Sequence, residues 1–291
     1  KRQRGYNIGA FDAATASDVL SGSGLSSSAA FEVLLGTILN HLFNDGKVSD
    51  VEIAQIAQAA ENKFFGKPCG LLDQMTSSVG SFVEIDFADP AKPVIEKLDF
   101  DFASCGYALC IVDTGGSHSD LTDEYAAVRK EMESVAEYLG KSVLREVDED
   151  EFMKNIADIR SSCGDRAVLR AMHFYGDNAR VEKQAAALKA GDFETFKKYI
   201  IESGRSSYMY NQNVYSCKKA SEQPVSLALS LSEKLLDGCG AWRVHGGGFA
   251  GTIQAFVPLN KLDEYKDLME KVFGSGSCYI LSVRPVGGVE L

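Results

Sequence analysis

Ser21-Gly22-Ser23-Gly24-Leu25-Ser26-Ser27-Ser28-Ala29-Ala30 is the stretch on which the reading of this chain turns. Its two glycines permit a tight turn and a close approach of a ligand to the backbone. Three consecutive serines, Ser26 to Ser28, follow at a helix start. Behind them Phe31, Leu34, Leu35, Ile38 and Leu42 recur at helical spacing, which predicts a helix with those residues buried. Ahead of the glycines, residues 8–19 read as a weak strand. Strand, glycine loop and helix together offer backbone N–H groups and a positive dipole end to an anion. No Gly-Lys-Ser/Thr follows, so this is not a Walker A loop. On spacing alone the stretch serves equally as an anion cradle or as a Gly/Ser turn that caps a core helix.

Composition narrows the partners. The 291 residues suffice for two ordinary domains or one large one. At 45% hydrophobic and 24% charged, the chain has the balance of a globular protein. A net charge of −11 argues against a nucleic-acid footprint. An anionic ligand must then be held by local devices, such as helix ends and a metal, against the overall field. No apolar run is long enough to span a bilayer, and no signal peptide is visible. The seven cysteines are scattered without a CxxC pair, as in a protein of the reducing cytoplasm.

Further along, a helix is predicted from Val51 through Glu61, broken by Phe64-Phe65-Gly66-Lys67-Pro68-Cys69-Gly70. Leu71-Leu72-Asp73-Gln74-Met75 begins a short helical turn. Residues 81–87 and 105–113 read as strands. Leu121, Tyr125, Val128, Met132, Val135 and Leu139 form a helical stripe closed by Gly140. Two more helices are predicted between Arg166 and Met209, broken at Gly191-Asp192, and another from Val225 to Leu236. Strands at 241–245 and 252–257, a helix over 259–273 and a strand at 278–283 predict a helix-backed antiparallel sheet. The domain boundary is expected between Asp113 and Leu121.

Two carboxylates stand out. Glu61 lies twelve positions before Asp73. A carboxylate beside a serine hydroxyl suits Mg²⁺, which wants hard oxygens and shares substrate phosphates. Taken alone, Glu61 is a solvated helix-end residue, and Asp73 is an Asp favoured by the dipole in a first helical turn. Tyr125 sits on an apolar stripe and needs a partner for its hydroxyl. Gly246-Gly247-Gly248-Phe249-Ala250-Gly251, alone, is a glycine hairpin loop.

Gly24-Leu25-Ser26-Ser27-Ser28-Ala29-Ala30 resembles the phosphate-binding motif of the GHMP kinases, and Pro68-Cys69-Gly70-Leu71-Leu72-Asp73-Gln74 resembles a galactokinase motif. The glycine hairpin resembles the third superfamily motif, with His245 where the family usually has Thr. The resemblance implies an α+β, two-domain architecture. Its N-terminal part, over 1–115, is similar to the second domain of ribosomal protein S5, and its C-terminal part, over 116–291, is ferredoxin-like. It implies ATP-dependent phosphorylation of the anomeric hydroxyl of galactose. Gly22, Gly24, Leu25, Ser26, Ser27 and Ser28 would cradle ATP, Ser28 and Glu61 would share Mg²⁺, and Asp73 would accept the sugar's proton. Cys69, Gly70, Asp73 and Tyr125 would contact the sugar, and His173 is read as structural. Two alternatives stay open: another GHMP sugar kinase, acting for instance on N-acetylgalactosamine, and a non-catalytic galactose/ATP sensor.

The first family motif has no counterpart between Lys1 and Asp18. The N-terminal part is therefore expected to be incomplete, the chain inactive alone, and its open edge covered by a second copy or another packing partner. No nucleic acid or membrane is expected as a partner.

Overall fold

The first helix starts where the serines predict it, but it buries a different face. A computed structural model describes residues 5–19, 25–66, 69–89, 91–116, 121–249 and 251–290. Helix α1 (Ser27–Asn44) buries Ala29, Val33, Thr37 and Asn40. Phe31 and Leu42, expected inside, are 49% and 57% exposed. The reason is close packing on the small-residue side. A Cβ on Gly36 would lie 2.8 Å from Ile53 Cγ2, so the neighbouring helix approaches there. Asn40 is buried because its amide exchanges two 2.9 Å hydrogen bonds with the backbone of Val48.

The chain divides into two units, one over 1–100 and 283–291, the other over 101–282. In the first unit, α1 packs with α2 (Asp50–Ala60) and α3 (Leu72–Val79). A capping box between Ser49 and Glu52 sets the start of α2. Ala54, Leu71 and Met75 form a small core with Val51, Val79, Ile85, Phe87 and Ile95. Strands β1 (Phe82–Asp86) and β2 (Val94–Leu98) form an antiparallel hairpin in which Glu84 faces Glu96. The charges within Val94-Ile95-Glu96-Lys97-Leu98 concealed β2 from the sequence reading.

Residues 8–19 do not form the expected strand. This Ala-rich stretch places its β-branched and aromatic residues, Ile8, Phe11, Thr15 and Val19, without the alternation that lines one face of a strand. It runs against the end of α1, where the Asn7 backbone and Asn44 amide exchange hydrogen bonds of 2.8 and 3.1 Å.

The second unit is built on a four-stranded antiparallel sheet of order β4-β5-β3-β6. Its strands are β3 (Tyr107–Asp113), β4 (Ala241–Val244), β5 (Thr252–Pro258) and β6 (Cys278–Leu281). Cys110 of β3 faces Ala255 on one side and Ile280 on the other. Because β3 is paired on both edges, it sits at the centre of this sheet, and the units part at residue 100 rather than beyond Asp113. Helices α4 (Thr122–Tyr138), α5 (Glu149–Lys154), α6 (Ile156–Cys163), α7 (Asp165–Lys189), α8 (Phe193–Ser206), α9 (Pro224–Leu236) and α10 (Leu262–Phe273) complete it. One side of the sheet buries Ile253, Ala255 and Val257 with Tyr265 and Met269 of α10. Phe256 instead meets Phe193 and Phe196 of α8, as alternation along a strand requires. Among the described residues no helix is long and apolar enough to cross a membrane.

Candidate active site

Three elements of the first unit bring their ends together: the start of α1, the end of α2 and the first turn of α3. After Ala60 the chain winds one π-helical turn, Glu61–Phe65, closed by Gly66 at φ 71°. Such turns often occur at functional sites. Ile53, Ala57 and Glu61 succeed one another at a spacing of four, so Glu61 continues the buried stripe of α2. It is 4% exposed, not solvated.

A buried carboxylate needs donors. Ser28 Oγ donates to Glu61 Oε1 at 3.2 Å. Gln74 Nε2 donates to Glu61 Oε2 at 2.9 Å and approaches Glu32 Oε2 at 3.4 Å. The Cys69 thiol, held by burial and by its bond to Glu61, has its pKa pushed up to about 11. The backbone of Cys69 is fixed by Asn62, whose Oδ1 accepts from the Cys69 N–H at 2.7 Å. Gln74 Oε1 is buried and meets no donor, a cost of about 1–3 kcal/mol.

Asp73 lies on the exposed side of the same α3 turn. Ser26 Oγ donates to its Oδ2 at 2.7 Å. Ser26 reaches it by adopting a left-handed conformation, φ 55° and ψ 45°, and its hydroxyl makes no cap bond to α1. That conformation is uncommon for a residue with a Cβ. The first turn of α1 carries no acidic residue, so its positive end is not neutralised from within the helix.

The expected site residues thus separate into groups. Ser26 with Asp73 and Ser28 with Glu61 are brought into hydrogen-bond contact. Ser27 is the first residue of α1, and Leu25 lies one residue before Ser26. Gly22 and Gly24 lie outside the described residues. Cys69 borders Glu61 and Gln74, and Gly70 is open, with no heavy atom of the described residues beyond its chain neighbours within 4 Å of an added Cβ. Gln74 and the Ser26–Asp73 bond were missed by the sequence reading. Leu71, Gln74, Met75 and Ser78 carry the signal for Gln74, since a polar residue stands in a buried stripe.

Ser28 and Glu61 fit Mg²⁺ as hard oxygens from a hydroxyl and one carboxylate. Among the described residues there is no cluster of three or more His, Cys, Asp or Glu able to hold a metal. A one-carboxylate site is the kind in which Mg²⁺ keeps waters and takes phosphate oxygens.

In the second unit, the Tyr125 hydroxyl donates to the carbonyl of Gly248 at 2.7 Å, and its ring meets Phe249 edge-on. Burial raises its pKa. A Cβ on Gly247 would lie 2.8 Å from that ring, and one on Gly248 would lie 1.9 Å from the Asn213 carbonyl oxygen. Glycines therefore let the loop lie flat on Tyr125 and Asn213. His245 Nδ1 pairs with Gln254 Oε1 at 3.1 Å. His173 is buried, with Nδ1 2.9 Å from Ser206 Oγ, in keeping with a structural role.

The family model described as GHMP kinases N terminal domain matches residues 1–81. The galactokinase of Actinobacillus pleuropneumoniae is 31% identical over 258 residues, which are 89% of this chain and 64% of that protein. The chain therefore spans less than two thirds of that relative's length. The galactokinase of Homo sapiens is 32% identical over 281 residues, 97% of this chain and 68% of that protein. The crystal structure of Lactococcus lactis galactokinase complexed with galactose superposes with a TM-score of 0.72 at 24% identity. It covers 94% of this chain and 69% of that one. This fold is α+β.

Proposed function

The chain belongs to the galactokinase family of the GHMP kinases, and on that premise we propose that it transfers the γ-phosphoryl group of ATP to the anomeric hydroxyl of galactose. The observation that carries this reading is that the start of α1 holds both carboxylates, Asp73 through Ser26 and Glu61 through Ser28. The α1 N-terminus offers its N–H groups and dipole to the phosphates, with Ser27 and Ser28 at its mouth. Ser28 and Glu61 would hold Mg²⁺, which neutralises phosphate charge when bound.

Phosphoryl transfer asks the protein mainly for positioning and charge stabilisation. Asp73 orients the sugar hydroxyl and takes its proton as the O–P bond forms. Ser26 fixes the carboxylate by bonding Oδ2, which leaves Oδ1 to receive that proton. Cys69, with its thiol held protonated, lines the pocket and is not a nucleophile. Gly70 leaves room for the sugar beside Asp73, and Tyr125 orders the glycine loop on which it rests. A reducing cytoplasm suits seven cysteines that are all free.

The test is a phosphoryl-transfer assay on the full-length gene product that carries this chain, with galactose, N-acetylgalactosamine and glucose as acceptors. Galactose 1-phosphate formed in preference to the others supports the proposal. Preference for another sugar, or tight galactose binding without transfer, overturns it.

A further inference from the structure

Gln74 is the feature of this site that the phosphoryl-transfer reading leaves unused. It is 1% exposed, and it sits among Leu71, Met75 and Ser78 on the buried side of α3. Buried glutamines pair both ends of the amide as a rule. Gln74 pairs one. Its Nε2 lies 2.9 Å from Glu61 Oε2, 3.4 Å from Glu32 Oε2 and 3.5 Å from Cys69 Sγ, while Oε1 meets no donor. Turning the amide over would set its oxygen against two carboxylates. The electrostatics of the site therefore fix which end faces Glu61, although the other end goes unmatched.

We propose that Gln74 is a positioning residue, which fixes the Glu61 carboxylate so that Ser28 and Glu61 present their oxygens together. Glu61 is then held at both oxygens by different helices: Ser28 of α1 bonds Oε1 and Gln74 of α3 bonds Oε2. One bond to each oxygen, from two different helices, restrains the plane of the carboxylate. The neighbouring residue, Asp73, ties the same α3 turn to Ser26. One helical turn thus registers both carboxylates against the start of α1. As a neutral donor, Gln74 does this without adding charge beside Glu32 and Glu61. The consequence for metal binding rests on the reading of Glu61 as a Mg²⁺ ligand; the positioning itself does not.

The experiment is a double-mutant cycle of Gln74→Met and Glu61→Gln in the full-length gene product. Met keeps the length and shape and removes the donor. Mn²⁺ binding in the presence of ADP, followed by electron paramagnetic resonance, is the first readout. Gln74→Met is expected to weaken it by roughly tenfold, the lower end for loss of a partner that orients a metal ligand. ADP affinity without metal should be unchanged. In the Glu61→Gln background the same substitution should cost nothing further, because it acts through Glu61. Unchanged Mn²⁺ binding in Gln74→Met, or losses that simply multiply, overturns the proposal. Should the unsubstituted protein hold no Mn²⁺ with ADP, the metal reading fails. The urea midpoints of the four proteins then decide: non-additive shifts sustain the positioning of Glu61, and additive shifts overturn it.

Discussion

Ser26 shows how a local rule is broken where two elements must meet. A serine at a helix start ordinarily accepts a hydrogen bond from the first-turn backbone. Here its backbone is left-handed and the hydroxyl goes to Asp73 instead. Ser26→Ala would keep the strained backbone and lose the bond. Ser26→Gly would lose the bond and relieve the strain. Glycine is therefore expected to leave the chain about 1 kcal/mol more stable than alanine, measured by urea unfolding. Both variants should lower turnover, since both release Asp73. Cys69 gives a second residue-level test. Its pKa of about 11 against an ordinary value of 9.0 leaves roughly a hundredfold less thiolate near pH 8. Iodoacetamide at that pH should label the exposed Cys217 long before Cys69, as read by peptide mass spectrometry. In urea the difference should vanish.

Helix placement was largely legible in the sequence, because long apolar stripes identify α4, α7, α8 and α9. Which face is buried was less so. Helix α1 carries polar Thr37 and Asn40 on the face it buries and Phe31 and Leu42 on the side it exposes, so hydrophobic periodicity pointed to the wrong face. The site divides in the same way. The Gly-Ser stretch and Asp73 were visible as motifs. The burial of Glu61 and Gln74 was written in the stripes of α2 and α3, but polar residues are discounted when stripes are read by hydrophobicity. The return of the C-terminal residues 283–290 to the first unit has no periodic signal at all. It depends on close backbone approach. A Cβ on Gly287 would lie 1.8 Å from the Ser78 carbonyl oxygen, at the end of α3. Gly287→Ala is expected to destabilise the first unit by about 1–3 kcal/mol or to displace the tail. Hydrogen exchange of the α3 amides would report it, with faster exchange in the variant.

At the scale of the whole molecule, a net charge of −11 opposes the approach of a nucleotide, so the proposed function requires affinity from local devices, for which the start of α1 with Ser28 and Glu61 is the proposed source. One local contribution to acid sensitivity lies in the second unit. Burial lowers the pKa of His173, with Arg243 and Arg180 lowering it further and Asp177 opposing them. The folded unit thus favours neutral imidazole. Its contribution is fully present above the unfolded value near 6.5 and is lost as pH falls through the folded one. Trp242, the one tryptophan, lies in β4 and reports this unit. Its urea midpoint should fall between pH 7.5 and 5, and the fall should be shallower in His173→Gln.

Asp73 is the proposed proton acceptor in phosphoryl transfer to galactose. The direct measurement is steady-state turnover of Asp73→Asn beside a galactose titration, in the full-length gene product. Asparagine keeps the shape and the bond from Ser26 and removes the proton acceptor. A fall in kcat of roughly 10²–10⁴ with galactose binding largely kept is the expected result. Turnover of galactose at a near wild-type rate would contradict it and return Asp73 to the role of a helix-start residue.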